Sequence, residues 1–353
     1  MAVIAGISPV FPDQYYAQKE LTSRLIEAWA DGPFRPELLE RFHRNVKVDG
    51  RYLALPVDEY EKLEGFRARN DAWIGVALQL GERAICDLLQ GSNFHPGDIS
   101  QITFTSTTGL AVPSIDARLM NRIPFSQDLK RLPLFGLGCL GGAAGIARVA
   151  DYLHGHTDEA AILLSIELCS LTIQRDDFSV ANMVATGLFG DGAAAVLMVG
   201  NDHPLALQGG PKVIDSQSLF FPDTEHIMGW EFDGTGFHVQ LNADIADIAE
   251  GTLGPAVDRL LMRNRLKRED ISHWIAHPGG PKVIEAMERG LSLESSALDI
   301  SRDVLASVGN ISSVSVLLVL DRTISQCQPE PGSFGLMTAM GPAFCAELVL
   351  LQW

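Results

Sequence analysis

The chain has 353 residues, of which 46% are hydrophobic and 20% charged, and a formal net charge of −17. That length can bury a large core, as two domains or one double-sized unit, and the composition is ordinary for a globular enzyme. The acidic balance, with no long basic run, argues against nucleic acid and anionic membrane surfaces as main partners, while leaving room for a local cationic cluster that holds phosphates.

The first residues, "MAVIAGISPVFPDQYYAQ", have no basic segment followed by an apolar core, and are not expected to be a signal peptide. No run of about 18 uncharged apolar residues occurs, so no membrane span is expected. The five cysteines, Cys86, Cys139, Cys169, Cys327 and Cys345, are scattered without a C-x-x-C pair. Neither a disulfide framework nor a zinc site is expected, and a cytoplasmic setting fits.

Along the chain, "ERFHRNVKVDGR" (Glu40–Arg51) is a local basic cluster on an acidic protein. "QITFTSTTG" (Gln101–Gly109) reads as a strand. "LPLFGL" is another, and it leads through a glycine-rich turn into a small-residue helix from Gly141 to Leu153, with Cys139 at the junction. "EAAILLSIELCS" and "GDGAAAVLMVG" read as buried strands. The polar stretch Asn201–Gly210 divides the chain into halves of 1–205 and 206–353.

The second half repeats this grammar. "ISHWIAHPGG" is a strand ending in a sharp turn, and "PKVIEAMERGLSL" places Val283, Ile284, Met287 and Leu291 on one helical face. "GNISSVSVLLVLDRTI" suits helix and strand equally, and the tail reads as two strands around a Gly-Pro turn. Repeated β-α-β order predicts an α/β fold of two similar halves with largely buried sheets.

A thiol reacts as thiolate, and a helix start lowers its pKa through free N–H groups and the dipole. Cys139 stands where such a helix begins, although a lone cysteine is more often a small buried hydrophobe. Among nine histidines, His43, His95, His154, His156, His203 and His226 lie in polar contexts and read as surface residues; His238 and His273 suit packing or surface. His277 differs: it ends an apolar strand, where α/β folds face their ligands. Asn310, after Gly309, is either a helix cap or an amide donor. Cysteine in one half, with histidine and asparagine in the other, predicts a site at the junction of the halves.

Five ordered motifs add to this reading: "GCLGG" at Cys139, "GLFGDGAAAVLMVG", "GFHVQL", "IAHPGGPKVI" and "GNISS". With them the chain resembles type III polyketide synthases, the chalcone-synthase-like branch of the thiolase superfamily, over nearly its whole length. "LAVPSIDARL", "RLPLFGLGC", "SIELCSLT" and "MTAMGPAFCAELVLLQW" look most like bacterial, notably mycobacterial, alkylpyrone synthases.

The resemblance implies a thiolase-like fold with five αβαβα layers and a Cys-His-Asn triad of Cys139, His277 and Asn310. A fatty acyl-CoA starter would load onto Cys139, whose thiolate pairs with His277. His277 and Asn310 would hold the enolate formed as malonyl-CoA, or methylmalonyl-CoA, loses carbon dioxide. Repeated Claisen condensation would give alkyl α-pyrones with no metal or redox cofactor.

It also implies gatekeepers Phe189 and Phe237, CoA contacts at Arg41, Arg44 and Lys47, and pocket positions Thr107, Cys169, Thr172, Gly229, Ser312, Gly341 and Pro342. Val112 matches a residue that reaches into the partner's cavity in a homodimer. The chain departs from the family's G-x-G-P-G loop, with Ala339 and Ala343 replacing glycines in "AMGPA". If position 343 needs positive φ, alanine costs about 1 kcal/mol there. The competing readings are a ketoacyl-ACP synthase III-like enzyme, a non-catalytic thiolase-fold binding protein and a cysteine hydrolase.

Overall fold

The computed structural model describes residues 1–242 and 244–353. The first half runs β1 (Ala2–Val10), β2 (Gln14–Ala17), α1 (Gln18–Ala28), α2 (Pro36–Asn45), β3 (Gly50–Leu53) and α3 (Gly65–Gly91). It continues through β4 (Ile99–Thr105), α4 (Ile115–Leu119), β5 (Lys130–Leu134), α5 (Gly141–Gly155), β6 (Ala160–Leu168), α6 (Val180–Leu188) and β7 (Asp191–Gly200). The second half opens with β8 (Lys212–Phe220), β9 (Met228–Asp233), β10 (Gly236–Leu241), α7 (Ile245–Arg263) and β11 (Ile271–Ala276). It ends with α8 (Pro281–Leu291), α9 (Asp299–Val308), α10 (Ser315–Arg322), β12 (Phe334–Gly341) and β13 (Cys345–Gln352).

Nine strands form one sheet in the order β11-β12-β13-β8-β1-β7-β6-β4-β5. The order repeats: β1-β7-β6-β4 in the first half corresponds to β8-β13-β12-β11 in the second, and β5 has no counterpart. β4 pairs parallel with β5 and β6, as β11 does with β12, while β7 and β13 run antiparallel to their neighbours. The two halves of the sheet join through a short seam, where Ala2 pairs with Val213, Val3 with Lys212, and Ile4 N–H donates to Pro211 O (2.9 Å).

Three apolar cores explain the layers. α3 covers one face of the first half-sheet, and α7 and α8 cover the outer face of the second. Between the half-sheets lie α5 and α10, whose core draws on Ala161, Leu163, Val196, Met337 and Val349 together. β6 and β7 are buried along their whole lengths, which is why they read as unbroken apolar runs. α10 is buried from Ser315 to Leu320, so it shows no amphipathic period and local pattern could not tell it from a strand. The result is the expected thiolase-like α/β arrangement.

Candidate active site

Cys139 lies in a 3-10 turn, Gly138–Leu140, between β5 and α5. Gly138 has φ 53°, and a Cβ there would fall 2.4 Å from Cδ of Pro342. Only glycine lets the chain turn this sharply beneath the β12–β13 connection.

His277 directly follows β11, held by its N–H to Thr338 O on β12 (2.8 Å). Its imidazole is 3% exposed, and neither ring nitrogen has a partner. Buried polar atoms are rarely left unpaired, and these face a cavity. Asn310 crosses the end of α6: its N–H donates to Leu188 O (2.9 Å) and its carbonyl accepts from Gly190 N (3.0 Å), which pairs it with Phe189. Its side-chain Oδ1 accepts from Ser312 N (2.8 Å), leaving Nδ2 as the donor, 3.4 Å from Gly279 O. Asn310 is not the cap of α10, whose N-cap is Val314; its Oδ1 instead closes a turn onto Ser312 N–H, which is what aims the amide. Ser312 itself adopts φ 44°.

Cys139, His277 and Asn310 all line one cavity of about 480 Å³. Thr107, Cys169, Gly229, Ser312 and Pro342 line it as expected, together with Phe189. Much of the remaining wall is apolar, from Val180, Val184, Leu188, Met228, Val239, Leu241, Ile245 and Val283.

Three expectations need correction. Phe237 stands one layer back, packed against Phe66, Trp230 and Phe232, and Trp230 takes the wall instead. Thr172 is buried but spends its hydroxyl on Cys169 O (2.7 Å), away from the cavity. Gly341 sits at the end of β12 beneath Leu137 O and is covered by Pro342 in the lining. Val112, expected to reach into a partner's cavity, is 98% exposed and is not among the residues lining the Cys139 cavity of its own chain.

Arg41, Arg44 and Lys47 are exposed beside the mouth, where their neighbours Phe42, Asn45 and Val46 form the lining. Arg44 lies 3.8 Å from Glu40. Lys282, at the start of α8, is a further cation at the cavity that sequence reasoning passed over as part of an amphipathic helix.

Burial works against the expected ion pair. Burial pushes the Cys139 thiol up to about 12, and the Glu167 carboxylate adds to this against hydrogen bonds with Ser312 and Asn310. Burial alone holds His277 down at about 3. Desolvation thus works against charge on both groups and outweighs the N–H groups of the turn.

Glu167 is a second residue the sequence reading missed. It is fully buried and accepts from Ser106 Oγ (3.3 Å), Thr107 N (3.1 Å), Thr108 Oγ1 (2.9 Å) and Ser313 Oγ (2.5 Å). A charged residue inside the otherwise apolar "AILLSIEL" strand was the available signal. His43, read as a surface residue, is buried (3% exposed), because Thr22 and Thr186 satisfy its ring. Among the described residues, no group of three or more His, Cys, Asp and Glu is placed to hold a metal ion, and no helix is long and apolar enough to cross a membrane.

A two-fold repeated α/β fold whose halves bring cysteine, histidine and asparagine to one buried pocket defines a condensing acyltransferase of the thiolase type. Comparison with known proteins gives the family. The model of the chalcone and stilbene synthase N-terminal domain matches residues 2–203, and that of the C-terminal domain matches 212–353. The chain belongs to the chalcone and stilbene synthases and is a type III polyketide synthase.

A 1,3,6,8-tetrahydroxynaphthalene synthase of Streptomyces peucetius subsp. caesius is 46% identical over 99% of this chain and 93% of its own length. A phloroglucinol synthase of Pseudomonas fluorescens is 30% identical over 98% of this chain and 97% of its own. The crystal structure of 1,3,6,8-tetrahydroxynaphthalene synthase from Streptomyces coelicolor A3(2), a bacterial type III polyketide synthase, superposes with a TM-score of 0.93 at 28% identity, covering 99% of both chains.

Proposed function

We propose that this enzyme extends a fatty acyl-CoA starter with malonyl-CoA units and closes the product to an alkyl α-pyrone. The carrying observation is the apolar wall, contributed mainly by α6, β9, β10 and α7, which suits an aliphatic chain. In the first step Cys139 sulfur attacks the starter thioester carbonyl. The bond to CoA sulfur breaks, and His277 passes the cysteine proton to the departing CoA thiolate.

In the second step the thioester oxygen of malonyl-CoA accepts from His277 and from Asn310 Nδ2. The carbon–carboxylate bond breaks as carbon dioxide leaves, and its electron pair becomes an enolate stabilised by those two donors. Phe189 keeps water from the developing carbanion. The enolate carbon attacks the acyl-cysteine carbonyl and cysteine sulfur leaves. Loss of carbon dioxide drives the bond formation, so the reaction calls for no metal or redox cofactor. Arg41, Arg44 and Lys47 would hold the CoA phosphates at the mouth, and the setting is cytoplasmic.

The homodimer belongs to the same reading. Val112 is 98% exposed, and Phe135 (55%), Leu110 (40%) and Leu132 (36%) cluster near the free edge strand β5. Such a patch on an unpaired edge is a surface to be covered. Sedimentation of the wild type and of Val112→Lys tests this; a wild-type monomer would refute it.

A second reading, malonyl-CoA as both starter and extender with an aromatic product, is favoured by the 46% full-length identity to the S. peucetius enzyme. Against it, the S. coelicolor enzyme of the same name is only 29% identical, so that name does not track likeness to this chain. Incubation with acyl-CoAs of graded length plus malonyl-CoA, followed by mass spectrometry, decides between them. Alkyl pyrones support the first reading, an aromatic product from malonyl-CoA alone supports the second, and activity only with acyl-carrier-protein thioesters overturns both.

A further inference from the structure

A buried polar network lies behind the catalytic pocket without lining it. Arg51, on β3, is 3% exposed. Its Nη1 donates to Gly187 O (2.9 Å) and to Gln18 Oε1, and its Nη2 donates to Thr186 O. Gln18 Nε2 donates to the same Gly187 carbonyl (2.7 Å). These carbonyls belong to the last turn of α6, where a helix has no partners of its own. One residue on, Leu188 O receives the Asn310 N–H, and then Phe189 enters the cavity. Arg51 thus clamps the chain just ahead of the crossing that carries Phe189 and Asn310.

His43 joins this clamp to the mouth. It lies on α2 between Phe42, which lines the cavity, and Arg44 beside it. Its Nδ1 lies 2.8 Å from Thr22 Oγ1 and its Nε2 3.2 Å from Thr186 Oγ1. The ring rests on Gly187 so closely that a Cβ there would fall 2.5 Å from it. Gln18, Thr22, His43, Arg51 and Thr186 are all more than nine-tenths buried. A core needing only stability could use apolar side chains here; this polar network, in which Arg51 Nε alone of the guanidinium nitrogens lacks a partner, fixes one geometry.

We propose that Arg51 and His43 are positioning residues for the malonyl step: Arg51 sets Phe189 and Asn310, and His43 links that setting to the helix at the cavity mouth. This rests on the assignment of Asn310 to enolate stabilisation. The test separates the two half-reactions in the full-length enzyme. Cys139 acylation by a starter thioester is followed by mass spectrometry without malonyl-CoA, and malonyl-CoA decarboxylation is followed separately, both per folded molecule.

Arg51→Lys keeps the charge but loses the planar two-nitrogen fork that spans the Thr186 and Gly187 carbonyls. Its decarboxylation kcat should fall about tenfold while acylation stays within about twofold, since small displacements at a reacting centre are costly. His43→Gln should keep most decarboxylation and His43→Leu should lose it. If Arg51→Lys does not fold, Gln18→Met carries the test, with a smaller selective loss expected. Unchanged decarboxylation, or equal losses in both half-reactions, would overturn the proposal. Asn310→Ala in the same assay isolates the underlying reading: if it decarboxylates normally, the role given to Asn310 is wrong, whatever Arg51 does.

Discussion

The two halves of the molecule use one scaffold to opposite chemical ends. In the first, β4 runs out toward Thr107 and the central helix α5 is led in by Cys139. In the second, the corresponding strand β11 ends at His277 and the corresponding helix α10 is led in by Asn310 and Ser312. Equivalent strand ends and helix starts thus meet around one pocket, and in the proposed mechanism one half supplies the nucleophile and the other the donors. The backbone repeat fixes where chemistry can occur, and the side chains at those places decide which chemistry it is.

Substitutions at equivalent places should therefore fail at different steps. Cys139→Ala should abolish condensation, a loss on the order of 10³ or more, yet retain malonyl-CoA decarboxylation. Full product formation by this variant would break the division of labour. Asn310→Ala should do the reverse, accepting acyl groups on Cys139 while losing about 10²-fold or more in decarboxylation, as expected when a charge-stabilising donor is removed.

The next effect concerns pH. With Cys139 at about 12 and His277 at about 3, alkylation of Cys139 by iodoacetamide in the free enzyme should climb steadily through the neutral and mildly alkaline range. A plateau beginning near pH 6.5 would instead reveal a resting ion pair.

Stability offers a subtler comparison, since each half carries one buried neutral histidine. His43 and His277 are both lowered from 6.5 to about 3 by burial. Between those values the unfolded chain binds protons that the native state refuses, so both histidines subtract stability as pH falls through that window. Asp191, raised by burial from 3.8 to about 6, has the opposite sign there, because the native state takes its proton first. The net result should be destabilisation toward acid, and His43→Gln should flatten the slope of denaturant midpoint against pH.

The smallest effect is local. Ala343 has φ 103°, the strained conformation anticipated for that position, and Ala343→Gly should raise unfolding stability by about 0.5–1 kcal/mol. A measured loss would mean that packing of the methyl group outweighs its backbone strain.

Much of this was legible in the sequence because its signals were local. The strand ending at "HWIAH" and the glycine turn before α5 announced His277 and Cys139, and the boundary near Asn201–Gly210 fell between β7 and β8. What escaped depended on contacts far apart in sequence. His43 looks solvated on a polar helix until Thr186, 143 residues away, takes its ring. Phe237 carries the family motif, but the aromatic residues around it set its depth. The shifts of Cys139 and His277 away from their charged forms follow from burial, which no motif encodes.

The thin seam between the half-sheets has a mechanical consequence. Among the described residues, the pairing of Ala2 and Val3 with Val213 and Lys212 and the Ile4 N–H to Pro211 O stitch one half-sheet to the other, while the core around α5 and α10 takes side chains from both. The chain is weakly hinged in its hydrogen bonds and strongly glued in its interior, so neither half can unfold without stripping the other. Calorimetry should show a single melting event, and a chain severed between β7 and β8 should work only when its two pieces are made together and re-form the shared interior.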